Sequence, residues 1–177
     1  MRYPLTPLVI PLWRMLSIRY QREPCSGEGA RLYGGRWNPK GVAALYLATD
    51  PATAVTEYYQ DLPKPGTLVP YRLEAAAIAD LTTTGGGPVD AMAEHACTAS
   101  WKAMAARMRE HPEKMPPSWA LTRNLIDAGA EGALVPSVQN KGGTCLVLWR
   151  WHEAGQGTNG AVLSLLDPDN SLRGGAN

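Results

Sequence analysis

Three side chains that could do chemistry together follow one another closely in this sequence. Tyr46 lies ten residues after Arg36, and Glu57 lies eleven residues after Tyr46. A guanidinium can hold a phosphate through a charge-assisted fork, an aromatic ring can stack on a flat group, and a carboxylate can stabilise a cation. Each residue also has an ordinary structural interpretation, as a surface arginine, a half-buried tyrosine and a solvated helix acid. Both interpretations are open on spacing alone.

The segments around Arg36 and Tyr46 are typical of a β-hairpin. We expect residues 31–37 and 42–49 to form its two arms. The sequence Asn-Pro-Lys-Gly at positions 38–41 favours a type I turn between them. Alternation along the second arm puts the leucines beside Tyr46 on one face and the Tyr46 ring on the other, between two alanines. Small neighbours leave room above the ring for a flat group.

A helix that carries Glu57 is predicted to follow the hairpin. Asp50 is a good N-cap, and Pro51 suits the first helical position. Glu57 lies at the margin of an apolar stripe, at the edge of a cleft or in solvent. The predicted stripe consists of Val55, Tyr58, Tyr59 and Leu62.

The rest of the chain predicts mixed strands and helices without regular alternation, which favours an α+β fold. We expect residues 89–109 to form one helix whose Trp101 and Met104 face the core, and Ser118 to cap a second helix that ends at Gly129. Prolines favour an edge position for the first strand, and residues 162–166 could add another edge strand. The predicted strands span residues 8–17, 68–73, 78–81, 132–137, 144–151 and 162–166.

Composition excludes several classes of protein. The chain has 177 residues, 45% of them hydrophobic, and its 17 basic and 16 acidic residues give a net charge of +1. A nucleic-acid or anionic-membrane surface normally carries more positive charge, so neither partner is predicted. Three cysteines without a CxxC motif favour a reducing compartment, and we predict a cytoplasmic protein without a membrane span.

Other motifs give weak signals. Residues 155–160 match GxGxxG, but only 17 residues follow Gly160, too few for a dinucleotide-binding βαβ unit. No serine has a GxSxG context. His95, His111 and His152 lack the spacing of metal ligands, so no metal site is predicted.

The run GGRWNPKG, followed by YLA and then by Glu57, resembles the RES-domain family, the toxins of Xre–RES (ParST-like) toxin–antitoxin modules. The family is named after an arginine, a glutamate and a serine. The resemblance assigns these to Arg36, Glu57 and Ser137, the last from LVPS before a Gly-Gly turn. Tyr46 matches the pocket tyrosine, and LWR at residues 12–14 resembles the opening strand.

The resemblance implies an ADP-ribosyltransferase-like fold, with a mixed β core and flanking helices, and NAD as the substrate. We expect one RES domain over residues 1–155, and an edge segment with a flexible tail over residues 156–177. The expected reaction transfers ADP-ribose from NAD to a protein. A glycohydrolase or phosphorylase that depletes NAD is the alternative. An Xre-type DNA-binding antitoxin is the expected partner.

The chemistry of NAD suits these residues. Nicotinamide leaves a pyridinium as a neutral group, so one carboxylate can replace the acid–base pair of ordinary glycoside hydrolysis. Glu57 is assigned to the ribose 2′-OH and the oxocarbenium, Tyr46 to the nicotinamide ring, and Arg36 to a phosphate or ribose. Ser137, and less strongly Asn140, could donate to the pyrophosphate or ribose. A non-catalytic nucleotide- or partner-binding module and a Ser137-dependent hydrolase are the competing hypotheses.

Overall fold

The computed structural model describes residues 2–60, 62–108 and 110–172 and has an α+β fold. Within these residues, seven strands form one mixed sheet, and five helices flank it. The strands are β1 (Leu5–Ser17), β2 (Leu45–Ala48), β3 (Gly66–Asp80), β4 (Gly132–Pro136), β5 (Thr144–Leu148), β6 (Trp151–Glu153) and β7 (Ala161–Leu165). The helices are α1 (Glu28–Tyr33), α2 (Pro51–Tyr59), α3 (Ala91–Thr98), α4 (Trp101–Arg107) and α5 (Pro117–Asp127). Short 3₁₀ turns span Ile18–Tyr20 and Pro112–Lys114.

Strand pairing closes part of the sheet into a ring. The strand order is β1-β2-β5-β4-β3-β7-β6, and β1 also pairs with β3. Most pairs are antiparallel, but β3–β4 and β6–β7 are parallel.

Leu45 and Leu47 on β2 belong to one cluster of buried core residues, whereas Tyr46 between them packs against the other cluster. The predicted alternation along this strand is therefore confirmed.

The predicted hairpin around Arg36 is wrong. The predicted first arm, residues 31–37, begins inside α1 instead of forming a strand, and β2 pairs with β5 and β1. The tight turn lies one residue later than predicted, since the Val42 N–H donates to the Pro39 carbonyl. Gly41, with φ of 92°, takes the third position of this turn. Side-chain contacts with distant residues decide the local structure here.

Other boundaries also differ from the sequence-based predictions. β3 is one strand across residues 66–80 because it pairs with β1 almost throughout, so β1 is not the isolated edge strand that its prolines favoured. The predicted helix over residues 89–109 breaks at Ala99–Ser100 into α3 and α4. The predicted strand over residues 144–151 divides into β5 and β6. In each case pairing or packing overrides local propensity.

Helix starts were predicted with mixed success. Asp50 caps α2 as expected, with its carboxylate accepting from the Thr53 N–H at 2.8 Å. The apolar stripe of α2 is wrong, because its buried residues are Thr53 and Ala54, while Leu62 lies beyond the helix and is 74% exposed. Ser118 does not cap α5. Pro116 precedes this helix, and the Ser118 hydroxyl is buried without a partner among the described residues.

The C-terminal segment is part of the sheet rather than its edge. β7 lies between β3 and β6, so β6 takes the edge position. Ala161 and Leu163 are fully buried in the core. Residues 167–172 form a turn in which the Asp167 carboxylate accepts from the Ser171 hydroxyl. Residues 173–177 of the predicted tail lie outside the described residues, and the boundary at residue 155 stays a prediction.

Candidate active site

A cleft of about 700 Å³ brings Arg36, Tyr46 and Glu57 together. These side chains come from the loop after α1, from β2 and from α2. The volume lies within the range of roughly 300–1,000 Å³ that is usual for small-molecule sites. Sequence reasoning therefore selected three residues that share one cavity. Neither Ser137 nor Asn140 lines it.

The Glu57 carboxylate is fixed through one of its oxygens. Oε1 accepts from the Ser137 hydroxyl at 2.6 Å and from the Val138 N–H at 3.1 Å. The same oxygen accepts from the Gln139 N–H at 3.3 Å and from the Cys145 thiol at 3.8 Å. All four of these hydrogen bonds fall on Oε1, so Oε2 has no hydrogen-bond partner among the described residues.

The Ser137 hydroxyl thus donates its hydrogen bond to the Glu57 carboxylate in this structure. It also accepts from the Asn140 N–H at 2.9 Å, and the Asn140 side chain donates to the Thr53 hydroxyl at 2.7 Å. These bonds join the turn after β4 to α2. The predicted direct contacts of Ser137 and Asn140 with NAD stay predictions.

Cys145 lines the cleft beside Glu57. Burial and the neighbouring Glu57 carboxylate raise the pKa of this thiol. The protonated thiol therefore remains a donor toward Oε1 at neutral pH. Sequence reasoning missed Cys145, although it alternates with the buried Leu146 on a predicted strand.

Arg36 faces the cleft, where the nearby Glu57 carboxylate favours its charged form. Its Nη1 donates to the carbonyls of Ala96 at 3.3 Å and Ala99 at 3.0 Å, at the end of α3. Burial lowers the pKa of Arg36, but an arginine still remains charged at neutral pH. No described acid forms a salt bridge with it, and Nε and Nη2 have no partner within the described ranges. These nitrogens can bind an anion.

Tyr46 uses its hydroxyl to hold the Arg36 loop. The phenol donates to Asn38 Oδ1 at 2.6 Å and accepts from the Trp37 N–H at 3.0 Å. Burial raises the pKa of Tyr46, so the phenol stays neutral. A Cβ at Gly35 would collide with this hydroxyl, which explains the glycine. Only the Tyr46 ring is available to a ligand.

Asn38 organises this loop from a fully buried position. Its amide nitrogen donates to the carbonyls of Ala30 and Val42, each at 2.9 Å. Two tryptophans fix the loop from outside, since Trp119 Nε1 donates to the Gly35 carbonyl and Trp149 Nε1 to the Trp37 carbonyl. Sequence reasoning gave Asn38 only a role in a turn, because these partners are not visible in local spacing.

Further cleft residues were not predicted as site residues. Trp13, Tyr58, Trp101, Lys102 and Gln139 line the cleft. The described residues contain no cluster of three or more metal-ligating side chains. No helix within residues 2–60, 62–108 or 110–172 has the length and apolar character of a membrane span.

A family model for the RES domain matches residues 11–164. A protein named Toxin Res from Yersinia enterocolitica is 39% identical over 69 residues, which are 39% of this chain and 45% of that protein. The Prs ADP-ribosylating toxin of a Sphingobium species is 38% identical over 93 residues, or 48% of this chain and 58% of that protein. The NAD(+) phosphorylase MbcT of Mycobacterium bovis is 36% identical over 86 residues, or 40% of this chain and 46% of that protein.

The similar segments therefore span about half the length of these curated relatives. A solved structure, the MbcT–MbcA toxin–antitoxin complex of M. tuberculosis, contains a similar fold. Its TM-score is 0.56 at 20% identity, and the alignment covers 96% of this chain and 92% of that chain. Because the family model covers most of the sequence, the chain belongs to the RES-domain family.

Proposed function

We propose that this protein is the toxin of a toxin–antitoxin module, and that it breaks the nicotinamide–ribose bond of NAD and transfers ADP-ribose to a protein. The observation that carries the proposal is the Glu57 carboxylate, which is held through Oε1 in a cleft that it shares with Arg36 and Tyr46. The similarity to an ADP-ribosylating toxin and to an NAD(+) phosphorylase supports NAD as the substrate.

Glu57 would act on the ribose. Nicotinamide departs as a neutral molecule, so the reaction needs no acid at the leaving group. A carboxylate about 4 Å from the oxocarbenium would attract it by roughly 4 kcal/mol at an effective dielectric near 20. If this attraction arises mainly in the transition state, it corresponds to roughly a thousandfold in rate. The free Oε2 is the atom that would face the ribose.

Arg36 and Tyr46 would hold the substrate. The uncommitted nitrogens of Arg36 can form charge-assisted hydrogen bonds with a phosphate. The Tyr46 ring can stack on nicotinamide, while its hydroxyl stays engaged with Asn38. Ser137 and Asn140 remain candidates for contact with the pyrophosphate or ribose. No step in this scheme requires a metal.

A phosphate acceptor is the second candidate. The cleft contains Arg36 and Lys102, and neither has a described acidic partner within salt-bridge distance. Inorganic phosphate bound by these cations could attack the ribose in place of a protein nucleophile. The similarity to an NAD(+) phosphorylase agrees with this alternative.

An antitoxin is the proposed partner, and we retain the Xre type as its expected class. The neighbouring fold comes from a toxin–antitoxin complex, which supports this assignment. Val138, which is 51% exposed, lies beside Glu57 on the cleft wall, where a partner could cover the site. The proposed site of action is the cytoplasm.

NAD labelled in its adenylate half tests the reaction. The purified protein is incubated with labelled NAD, with and without phosphate and cell extract, and nicotinamide release is followed in parallel. Label on a protein band supports transfer, and a phosphate-dependent small product supports phosphorolysis. Binding of NAD by calorimetry without release of nicotinamide under any condition would leave only a binding module and overturn the proposed chemistry.

A further inference from the structure

The first turn of α4 forms a wall of the cleft because the helix breaks just before it. Arg36 Nη1 donates to the Ala99 carbonyl at 3.0 Å, and the Trp101 N–H donates to the same carbonyl at 2.8 Å. The break therefore lies against the arginine that faces the cleft. The cleft residues from this segment are Ser100, Trp101, Lys102 and Ala103.

Trp101 offers an aromatic surface with a fixed orientation. Its ring packs on Trp119 with a centroid separation of 6.2 Å and a tilt of 47°. Trp119 is held in turn, because its Nε1 donates to the Gly35 carbonyl at 2.8 Å. The indole N–H of Trp101 has no hydrogen-bond partner among the described residues. A half-buried ring anchored in this way can stack on a flat group.

The charges of the cleft are unequal. Arg14, Arg36 and Lys102 line it, against Glu57 as the single acidic lining residue that the described ranges contribute. Arg14 is committed, since its Nη1 donates to the backbone carbonyls of Pro24 and Ser26. Arg36 and Lys102 remain for an anionic ligand, and the Lys102 ammonium lies 5.7 Å from the centroid of the Trp101 ring.

The carboxylate and the exposed lysine belong to different walls. Glu57 lies on α2, which packs against β1, β2, β3 and β5, whereas Lys102 lies on α4 beyond the Arg36 contact. The charges of NAD are distributed in a complementary way, with a cationic nicotinamide at one end and an anionic pyrophosphate toward the other. Charge complementarity would orient the nicotinamide toward Glu57 and the phosphates toward Lys102.

We propose that Trp101 and Lys102 form the subsite for the adenosine diphosphate half of the dinucleotide. The adenine stacks on the Trp101 ring, and the pyrophosphate lies between Lys102 and Arg36. The identity of the ligand rests on the function proposed above. The subsite adds to that function the residues that distinguish a dinucleotide from a nicotinamide nucleoside.

Calorimetry with ADP and with adenosine tests the subsite without any chemistry. Lys102→Met removes the ammonium, which also lies over the Trp101 ring, and should weaken ADP binding about tenfold and adenosine binding much less. Trp101→Leu should weaken both ligands about tenfold, and Trp101→Phe should restore most of the loss. Lys114→Met, at an exposed lysine on a 3₁₀ turn, is the matched control and should bind both ligands normally.

The outcomes separate this inference from the proposed function. ADP binding that is absent in the wild type, or unchanged in both Lys102→Met and Trp101→Leu, overturns the subsite even if the protein consumes NAD. Normal ADP binding with the expected losses, but no release of nicotinamide from NAD, supports the subsite and overturns the reaction. If Trp101→Leu has a lowered unfolding midpoint, the ADP-to-adenosine contrast in the exposed-site variant Lys102→Met decides the question.

Discussion

At the scale of single residues, the site depends on how the protein orients one carboxylate. Ser137, two backbone N–H groups and Cys145 all donate to the same oxygen of Glu57. Donors that converge on one oxygen restrict rotation of the carboxylate and leave Oε2 without a hydrogen bond from the described residues. This arrangement makes Ser137 a positioning residue in the structure, alongside its predicted contact with NAD.

Replacing Ser137 by alanine should separate these two roles. Loss of one hydrogen bond to a charged group, worth about 1.5 kcal/mol, should lower kcat for nicotinamide release about tenfold with little change in KM. Steady-state kinetics with NAD provide the measurement, and Ser171→Ala on the C-terminal turn is the control. A rise in KM at constant kcat would mean that the hydroxyl contacts the substrate instead.

At the scale of elements, the sequence predicted what local chemistry determines and missed what distant contacts determine. The Asp50 cap and the alternation around Tyr46 depend on neighbours in sequence, and both predictions are confirmed. The loop around Arg36 is held by Trp119 and Trp149, whose indole N–H groups donate to the carbonyls of Gly35 and Trp37. No propensity or spacing rule reveals these bonds. For the same reason Trp101 was predicted to be core, although it lines the cleft.

The start of α3 gives a pH-dependent prediction. The Ala93 N–H, and then Arg2 and Tyr3, lower the pKa of Asp90 to about 2 from its usual 3.8. A depressed folded-state pKa contributes stability that is fully present above about pH 4 and is lost as the pH falls toward 2. Asp90→Asn should therefore be less stable than the wild type at pH 7, and the difference should shrink between about pH 4 and pH 2.

Unfolding midpoints in urea across this pH range measure the effect. Asp169→Asn, at an exposed aspartate near the C-terminus, is the control and should follow the wild type. If the unfolding midpoints of the wild type and of Asp90→Asn change in parallel between pH 7 and pH 2, the Asp90 carboxylate does not stabilise the N-terminus of α3.

At the scale of the whole molecule, the C-terminal strand belongs to the folding unit. β7 pairs with β3 and β6 and buries Ala161 and Leu163. A chain that ends at residue 155 should therefore fail to unfold cooperatively, whereas a chain that ends at residue 172 should keep the wild-type midpoint. Thermal denaturation followed by circular dichroism compares them. Cooperative unfolding of the shorter chain at the wild-type temperature would instead support the domain boundary predicted from sequence.

The relation between the cleft and the sheet explains why distant strands matter for the site. Glu57 lies on α2, and Tyr46 belongs to β2. Of the residues that donate to Glu57, Ser137 follows β4 and Cys145 belongs to β5. These strands are neighbours in the ring, so the ring fixes the distances among the site residues. The order of these strands in space could not be read from a single sequence.

The most direct test of the proposed mechanism is nicotinamide release from NAD by the wild type and by Glu57→Gln. The substitution keeps the shape of the side chain and removes its charge, so the rate should fall about a thousandfold. NAD binding and the unfolding midpoint, both measured by calorimetry, should stay close to the wild-type values. Glu94→Gln, on the exposed side of α3, should keep full activity. Equal rates for Glu57→Gln and the wild type would contradict the central role of this carboxylate.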